Sequence, residues 1–238
     1  MVVERERCRR WAHHFIFDSG WLLTKDEHDS ENPVKRFPDL EYLRVLLDCL
    51  LVSGRYVEVG EARFALSGGI SRAWLERTRD IGLLPVEKSR QVMATWLVCA
   101  YLLWRAKFAP YQLILVQSKR EEDAANLVFN KDPAVGRISF MEMHLPPFLA
   151  TIDLARGTTF GHLYLPNGSH IWAVPEGGDI IRSNTPSVVF SDESSFQPEF
   201  DASYTAARPC LDGGGQYIAI SSANPGAFCE LVEGDKAA

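Results

Sequence analysis

The sequence predicts an α/β domain built on a mainly parallel central sheet, and three observations carry that prediction. Between residues 81 and 130, short apolar runs alternate with segments of helical periodicity, in the order strand, loop, helix, strand, helix. Such alternation favours a parallel sheet with covering helices. Two further apolar runs, 187–190 and 217–220, have the length and composition of buried strands. Lastly, Asn167-Gly168 sits between the apolar runs 162–165 and 170–174, a strong signal for an antiparallel hairpin.

In chain order, the first thirty-five residues are polar and mixed, with an acidic stretch at 26–31 and prolines at 33 and 38. A helix is predicted over 39–51, where Leu40, Leu43, Leu46, Leu47 and Leu50 form one apolar stripe and Asp39 stands as the N-cap. Ser53-Gly54 ends it, and Ser67-Gly68-Gly69 marks a loop before a short helix over 70–79. This N-terminal helical extension is taken as residues 1–78, and the core as 79–238. In the core the spacing predicts a strand at 81–86, a turn at 88–94 and an apolar helix at 95–107 stopped by Pro110. A strand at 112–117 follows, then a helix at 120–130 with Ala124, Leu127 and Val128 on one face. Gly213-Gly214-Gly215 separates the last two strands, and no internal repeat is present.

Composition narrows the function. The chain has 238 residues, 46% hydrophobic and 24% charged, enough to bury a sizeable core. Its formal charge of −6 excludes a domain that grips nucleic acid through its whole surface, so any such contact must be local. The five cysteines, at 8, 49, 99, 210 and 229, form no C-x-x-C pair, and the six histidines show no metal-ligand spacing. A reduced, intracellular protein is expected. The N-terminus is charged and leads into no long apolar stretch, and the longest nearly apolar run, 92–104, is too short to span a bilayer.

Chemistry concentrates at the ends of the predicted strands. A phosphate-binding loop of the form G-x-x-x-x-G-K-[ST] lies between a strand and a helix; its N–H groups surround the phosphates, its Lys neutralises them and its hydroxyl binds Mg²⁺. The matching eight residues here are Lys88, Ser89, Arg90, Gln91, Val92, Met93, Ala94 and Thr95. Context and final hydroxyl agree with the pattern, whereas both glycines are missing and Ala94 stands where the lysine belongs. The ammonium has moved to the front of the loop as Lys88, with Arg90 adding a guanidinium. Met93 puts a side chain where the backbone should approach the phosphates closely. The second feature is an apolar strand ending in Asp192-Glu193. In that position the Asp holds Mg²⁺ and the Glu polarises an attacking water. Each feature alone is also readable as ordinary structure, an exposed basic turn or a strand end capped by two solvated acids. The third is the strand 217–220 running into Ser221, Ser222, Ala223 and Asn224, whose hydroxyl and amide ends suit a sensor of the terminal phosphate.

In this order, the segments P-V-E-K-S-R-Q-V-M-A-T-W-L, V-V-F-S-D-E-S-S-F and I-S-S-A-N-P resemble the large subunit of terminase, the DNA-packaging motor of tailed bacteriophages. The resemblance spans roughly residues 20–230 and accounts for the displaced lysine, since such loops in that family begin K-S. It implies a P-loop NTPase of the ASCE type with helices on both sheet faces, hydrolysing ATP with Mg²⁺. Residues 88–95 would bind the triphosphate, with Arg90 on the γ-phosphate. Thr95 and Asp192 would hold Mg²⁺, Glu193 would be the catalytic carboxylate, and Ser221–Asn224 the coupling motif. Arg182, otherwise a surface arginine in a turn, would enter the site of a neighbouring subunit in a ring. Implied partners are double-stranded DNA, the portal of a procapsid and the small terminase subunit, in the host bacterial cytoplasm and with no membrane. The family's second, nuclease domain has no room in the fourteen residues after Asn224, so no nuclease activity is expected from this chain alone. Two other readings stay open: a helicase-like DNA translocase, and a non-catalytic assembly module in which Met93 and Ala94 mark a dead loop.

Overall fold

The computed structural model describes residues 1–26, 28–89, 92–156 and 158–237. It begins with α1 (Val2–Arg10), a π-type turn over His14–Asp18, and a two-stranded antiparallel ribbon of β1 (Leu23–Lys25) and β2 (Val34–Arg36). Helices α2 (Glu41–Ser53), α3 (Arg63–Ser67) and α4 (Arg72–Ile81) lead into β3 (Leu83–Glu87). Then come α5 (Ala94–Phe108), β4 (Leu113–Gln117), α6 (Glu121–Val128) and α7 (Arg137–His144). The short strands β5 (Thr158–Thr159) and β6 (His162–Tyr164) precede β7 (His170–Val174) and α8 (Asp179–Arg182). The chain continues through β8 (Val188–Asp192), α9 (Phe200–Asp212), β9 (Gln216–Ser221) and α10 (Ala227–Ala237).

Seven strands form the main sheet in the order β3-β9-β8-β4-β7-β6-β5. The first five run parallel, while β6 and β5 return antiparallel through the predicted Asn-Gly hairpin. Asn167 closes that turn and ties it to the end of α5, donating to the Ala106 carbonyl at 2.8 Å, while Gly168 takes the left-handed conformation the turn needs (φ 82). The result is an α/β domain on a mainly parallel sheet, with β9 inserted between the strand that precedes the basic loop and the strand that ends in Asp192.

Side chains alternate across the sheet as the period of two requires. Leu84, Ile114, Val116, Val188, Phe190, Ile218 and Ile220 face one layer, which contains α2, α5, α6 and α7. Leu83, Leu115, Val189, Tyr217 and Ala219 face the other, made of α8, α9 and α10. Helix α5 is buried nearly all round, and that is why its sequence shows no polar stripe. Each fully buried leucine in it, such as Leu97, Leu102 and Leu103, contributes about 1.5–3 kcal/mol. Residues of α1 and the π-type turn, among them Cys8, Phe15 and Ile16, join the same core as α5, and Trp104 donates to the Cys8 carbonyl at 2.8 Å. Beneath that layer Lys107 and Glu142 form an ion pair at 2.7 Å with each side chain 1% exposed. Glu142 also accepts the backbone N–H groups of Thr151 and Ile152.

Several sequence expectations are corrected. Asp39 does not cap α2: Leu40 occupies that position, and the Asp39 carboxylate is held instead by Arg44 at 2.6 and 2.8 Å. Two charge-assisted bonds outweigh one cap, and they lower the Asp39 pKa. The strand expected at 81–86 begins at Leu83, because Ile81 closes α4 and Gly82 ends that helix in the left-handed region (φ 74). The N-terminal stretch, read only as polar, contains α1, whose half-buried Glu6 pairs with Arg9 and Arg10. Among the described residues no helix is long and apolar enough to cross a membrane.

Candidate nucleotide site

The two motif halves meet at the C-terminal edge of the parallel strands. Strand β3 delivers Lys88, whose backbone N–H is tied to the Ser221 carbonyl at 2.9 Å. At the far end of the loop Met93 adopts φ 53, a left-handed conformation that a residue with a side chain takes at a cost of about 1–2 kcal/mol. Glycine would meet no such cost, which explains physically what its absence from the loop means. The Met93 side chain packs partly buried against the main core. Its carbonyl accepts the Leu97 N–H at 3.0 Å and starts α5, setting Thr95 in the first turn.

Strand β8 ends in buried Asp192, followed by Glu193 at φ 55. This second left-handed residue turns the two neighbouring carboxylates apart. Asp192 points inward and accepts the Thr95 hydroxyl at 3.0 Å. Glu193 points to the opening and accepts the Lys88 ammonium at 2.9 Å, with side-chain exposures of 10% for Lys88 and 39% for Glu193. Burial pushes the Asp192 carboxyl up to about 6, and the Glu193 charge acts in the same direction. Arg137, Lys88 and the Thr95 hydrogen bond oppose the rise. A buried acid facing a hydroxyl is a donor set suited to a hard cation. Mg²⁺ takes oxygen ligands at 2.0–2.1 Å in an octahedron, so two adjacent ligands lie about 3 Å apart, the separation found between Thr95 and Asp192. The residues present therefore fit Mg²⁺.

These groups open on a cleft of about 1200 Å³. Its walls are Lys88 and Val92 to Thr95 from the loop, Asp192 and Glu193 from β8, Ser118 and Lys119 after β4, Asn126 from α6, and Arg137 from α7. Lys25, Lys35 and Arg36 of the β1–β2 ribbon line it from above. The third predicted element is close by. Ser221 accepts the Ser195 N–H on its hydroxyl at 3.1 Å, and Asn224 donates to the Ser195 carbonyl at 3.0 Å, with Ser222 and Ala223 between them.

The structure thus brings together Lys88, Thr95, Asp192 and Glu193, and ties Ser221 and Asn224 to the turn that follows Glu193. Ser89 is exposed and Val92 half-buried, while Arg90 and Gln91 lie outside the described residues. Arg182 does not line the cleft of its own chain: it ends α8, 55% exposed, paired with fully exposed Asp179 at 2.9 Å. Sequence reasoning missed Arg137 and the cationic ribbon, because neither belongs to a local pattern; only packing of α7 on α5 and of the ribbon on α7 brings them to the cleft. It also missed a separate donor set, Glu4, Cys8 and His14, whose ligand atoms lie within 4.8 Å of one another. There His14 already meets Glu4 at 2.7 Å, and burial pushes the Cys8 thiol up to about 11.

No protein-family model matches the chain, and no curated protein matches it. Among solved structures it is similar to the large terminase of bacteriophage HK97, at 19% identity and a TM-score of 0.49, over 70% of this chain and 36% of that one. It is also similar to the large terminase ATPase domain of Thermus phage P74-26, at 18% identity and a TM-score of 0.46, over 63% of this chain and 64% of that domain. The chain therefore spans about a third of the length of the HK97 protein.

Proposed function

We propose that this chain binds ATP with Mg²⁺ in the cleft and hydrolyses it, and that in the assembled motor hydrolysis drives double-stranded viral DNA into a procapsid. The single observation that carries the ATPase reading is the paired contact Thr95–Asp192 and Lys88–Glu193, which joins a loop cation, a hydroxyl and two carboxylates from segments far apart in sequence. The packaging role rests on the displaced-lysine loop, the acidic strand and the S-S-A-N segment in that order.

Phosphoryl transfer to water asks a protein mainly to position groups and to stabilise charge. Lys88 leaves Glu193 for the phosphates as nucleotide enters, so one exchange both neutralises the triphosphate and frees the carboxylate. Glu193 then orients the attacking water and takes its proton. Thr95 and Asp192 would hold Mg²⁺, which when bound would supply positive charge to the triphosphate. Ser221 and Asn224, bonded to the turn behind Glu193, carry the change of state to the rest of the domain. Arg90 acts on the γ-phosphate from within the loop. Arg182, on the surface and held by one exposed acid, serves a neighbouring subunit of a ring, alongside the portal and the small subunit as further partners in the host cytoplasm.

One observation favours a second, non-catalytic reading: Met93 lines the cleft where a loop backbone should approach the phosphates. Calorimetric titration with a non-hydrolysable ATP analogue and Mg²⁺ separates the two. Saturable binding supports the ATPase, and no binding at millimolar ligand refutes it.

A further inference from the structure

Arg137 is one of the cations of the cleft that the sequence motifs leave unused. It opens α7 after Gly136, where a Cβ would meet the Val128 carbonyl at 2.5 Å and the Ser139 hydroxyl at 2.6 Å. The start of α7 is thereby pressed against the end of α6. Ser139 fastens it further by donating to the Pro133 and Gly136 carbonyls. So placed, the Arg137 guanidinium lies 5.5 Å from the centroid of the Trp96 ring, the residue after Thr95. Trp96 is in turn packed edge-on by Phe140. Stacking of this kind fixes the plane of a guanidinium while leaving its N–H groups free. Among the described residues the half-buried Arg137 side chain makes no hydrogen bond and no ion pair. Other partly or fully buried arginines are held by acceptors: Arg44 by Asp18 and Asp39, Arg55 by the Gly214 and Asp80 carbonyls, Arg79 by Glu58, and Arg105 by Gln112 and Gln216. A held guanidinium with all its donors unspent, on the wall shared with Thr95 and Asp192, lacks an anion with several acceptor oxygens.

We propose that Arg137 contacts the terminal phosphate of the bound nucleotide, supplied by the same chain that supplies Lys88. The inference rests on the ATP-binding reading. Terminal phosphate is the fitting partner because the metal-holding pair beside Arg137 marks the β–γ end of the triphosphate, and guanidinium matches phosphate oxygens two at a time. The field of Arg137 on Asp192 agrees with this position, being the strongest favourable charge acting there.

The test titrates the full chain, with Mg²⁺, with a non-hydrolysable ATP analogue and with ADP, in wild type, Arg137→Gln and Arg137→Lys. Arg137→Gln is expected to weaken the analogue about 10- to 100-fold and ADP less than about threefold, with Arg137→Lys between. Thermal unfolding of the unliganded variants should stay cooperative and fall only modestly, since the Trp96 contact and the favourable charge on Asp192 are lost but no hydrogen bond is. Unchanged analogue affinity, or equal loss for both nucleotides, overturns the assignment. Wild type binding neither nucleotide overturns the underlying ATP reading instead.

Discussion

Replacing Asp192 with Asn should make the metal-free protein more stable at neutral pH, and the size of the gain should depend on pH in a defined way. The Asp192 carboxyl titrates near 3.8 when exposed and is pushed up to about 6 in the fold, chiefly by burial. At about 1.4 kcal/mol for each pH unit, that rise is worth about 3 kcal/mol. The folded state binds this proton more tightly than the unfolded state does. Below pH 4 both states are protonated and the group contributes nothing. Stability then falls as pH rises from about 4 to about 6, and stays lowered above that. Asn cannot ionise, yet it keeps an oxygen for the Thr95 hydroxyl. The stability difference between Asp192→Asn and wild type should therefore grow by about 3 kcal/mol between pH 4 and pH 7, or roughly 6–12 °C in Tm. Urea unfolding of both proteins with chelator present, at half-unit pH steps, measures it, and all other titrating groups cancel in the difference. Adding Mg²⁺ and nucleotide at pH 7 should close the gap by stabilising wild type alone. Parallel pH profiles for the two proteins would refute the reasoning, since the buried carboxylate would then carry no penalty.

Other perturbations test other parts of the structure. Glu193→Gln should retain binding of the ATP analogue while losing turnover by about 100-fold or more, and Lys88→Ala should lose binding itself; wild-type hydrolysis by Glu193→Gln would sink the site assignment. Lys107→Met leaves Glu142 charged and buried, and should cost about 3–5 kcal/mol in urea unfolding. Adding Glu142→Gln, which keeps an oxygen for the Thr151 and Ile152 N–H groups, should recover part of that loss. At Met93 the left-handed backbone should penalise a β-branched side chain, so Met93→Val should melt below Met93→Gly by the equivalent of about 1–2 kcal/mol. Equal melting temperatures would mean the loop relaxes out of that conformation.

The core of this fold was legible because its strands are short apolar runs and α5 is apolar throughout, signals that survive without tertiary context. Two of the helices that no local pattern announced, α7 and α9, are of a different kind. In α7 the apolar residues Ile138, Phe140 and Met141 sit among Arg137, Ser139, Glu142 and His144, and Pro209 interrupts the helical pattern of α9. Both depend on neighbours to select the helix. The same contrast holds in the cleft. Lys88, Thr95, Asp192 and Glu193 belong to continuous segments whose chemistry can be read locally. That Lys88 reaches Glu193 depends on strand order, and that Arg137 reaches the same cleft depends on the packing of α7 over Trp96. Asp39 failed as a cap for a similar reason: Arg44, one turn into its own helix, offered the stronger partner.

Strand β9 separates the two halves of the cleft, and its last residue is bonded to both. Ser221 receives the Lys88 N–H on its carbonyl and the Ser195 N–H on its hydroxyl. The loop proposed to meet the phosphates and the turn that carries Glu193 are thus two levers on one pin. Whatever free energy nucleotide spends in shifting the first, an equal amount is returned to nucleotide affinity when the second is held from outside, because such linkage is reciprocal. A load on the turn, applied by anything bound to that end of the domain, would be felt as tighter or weaker ATP. Ser221→Ala cuts the hydroxyl connection and leaves the carbonyl intact, so it would uncouple the levers without disturbing either one.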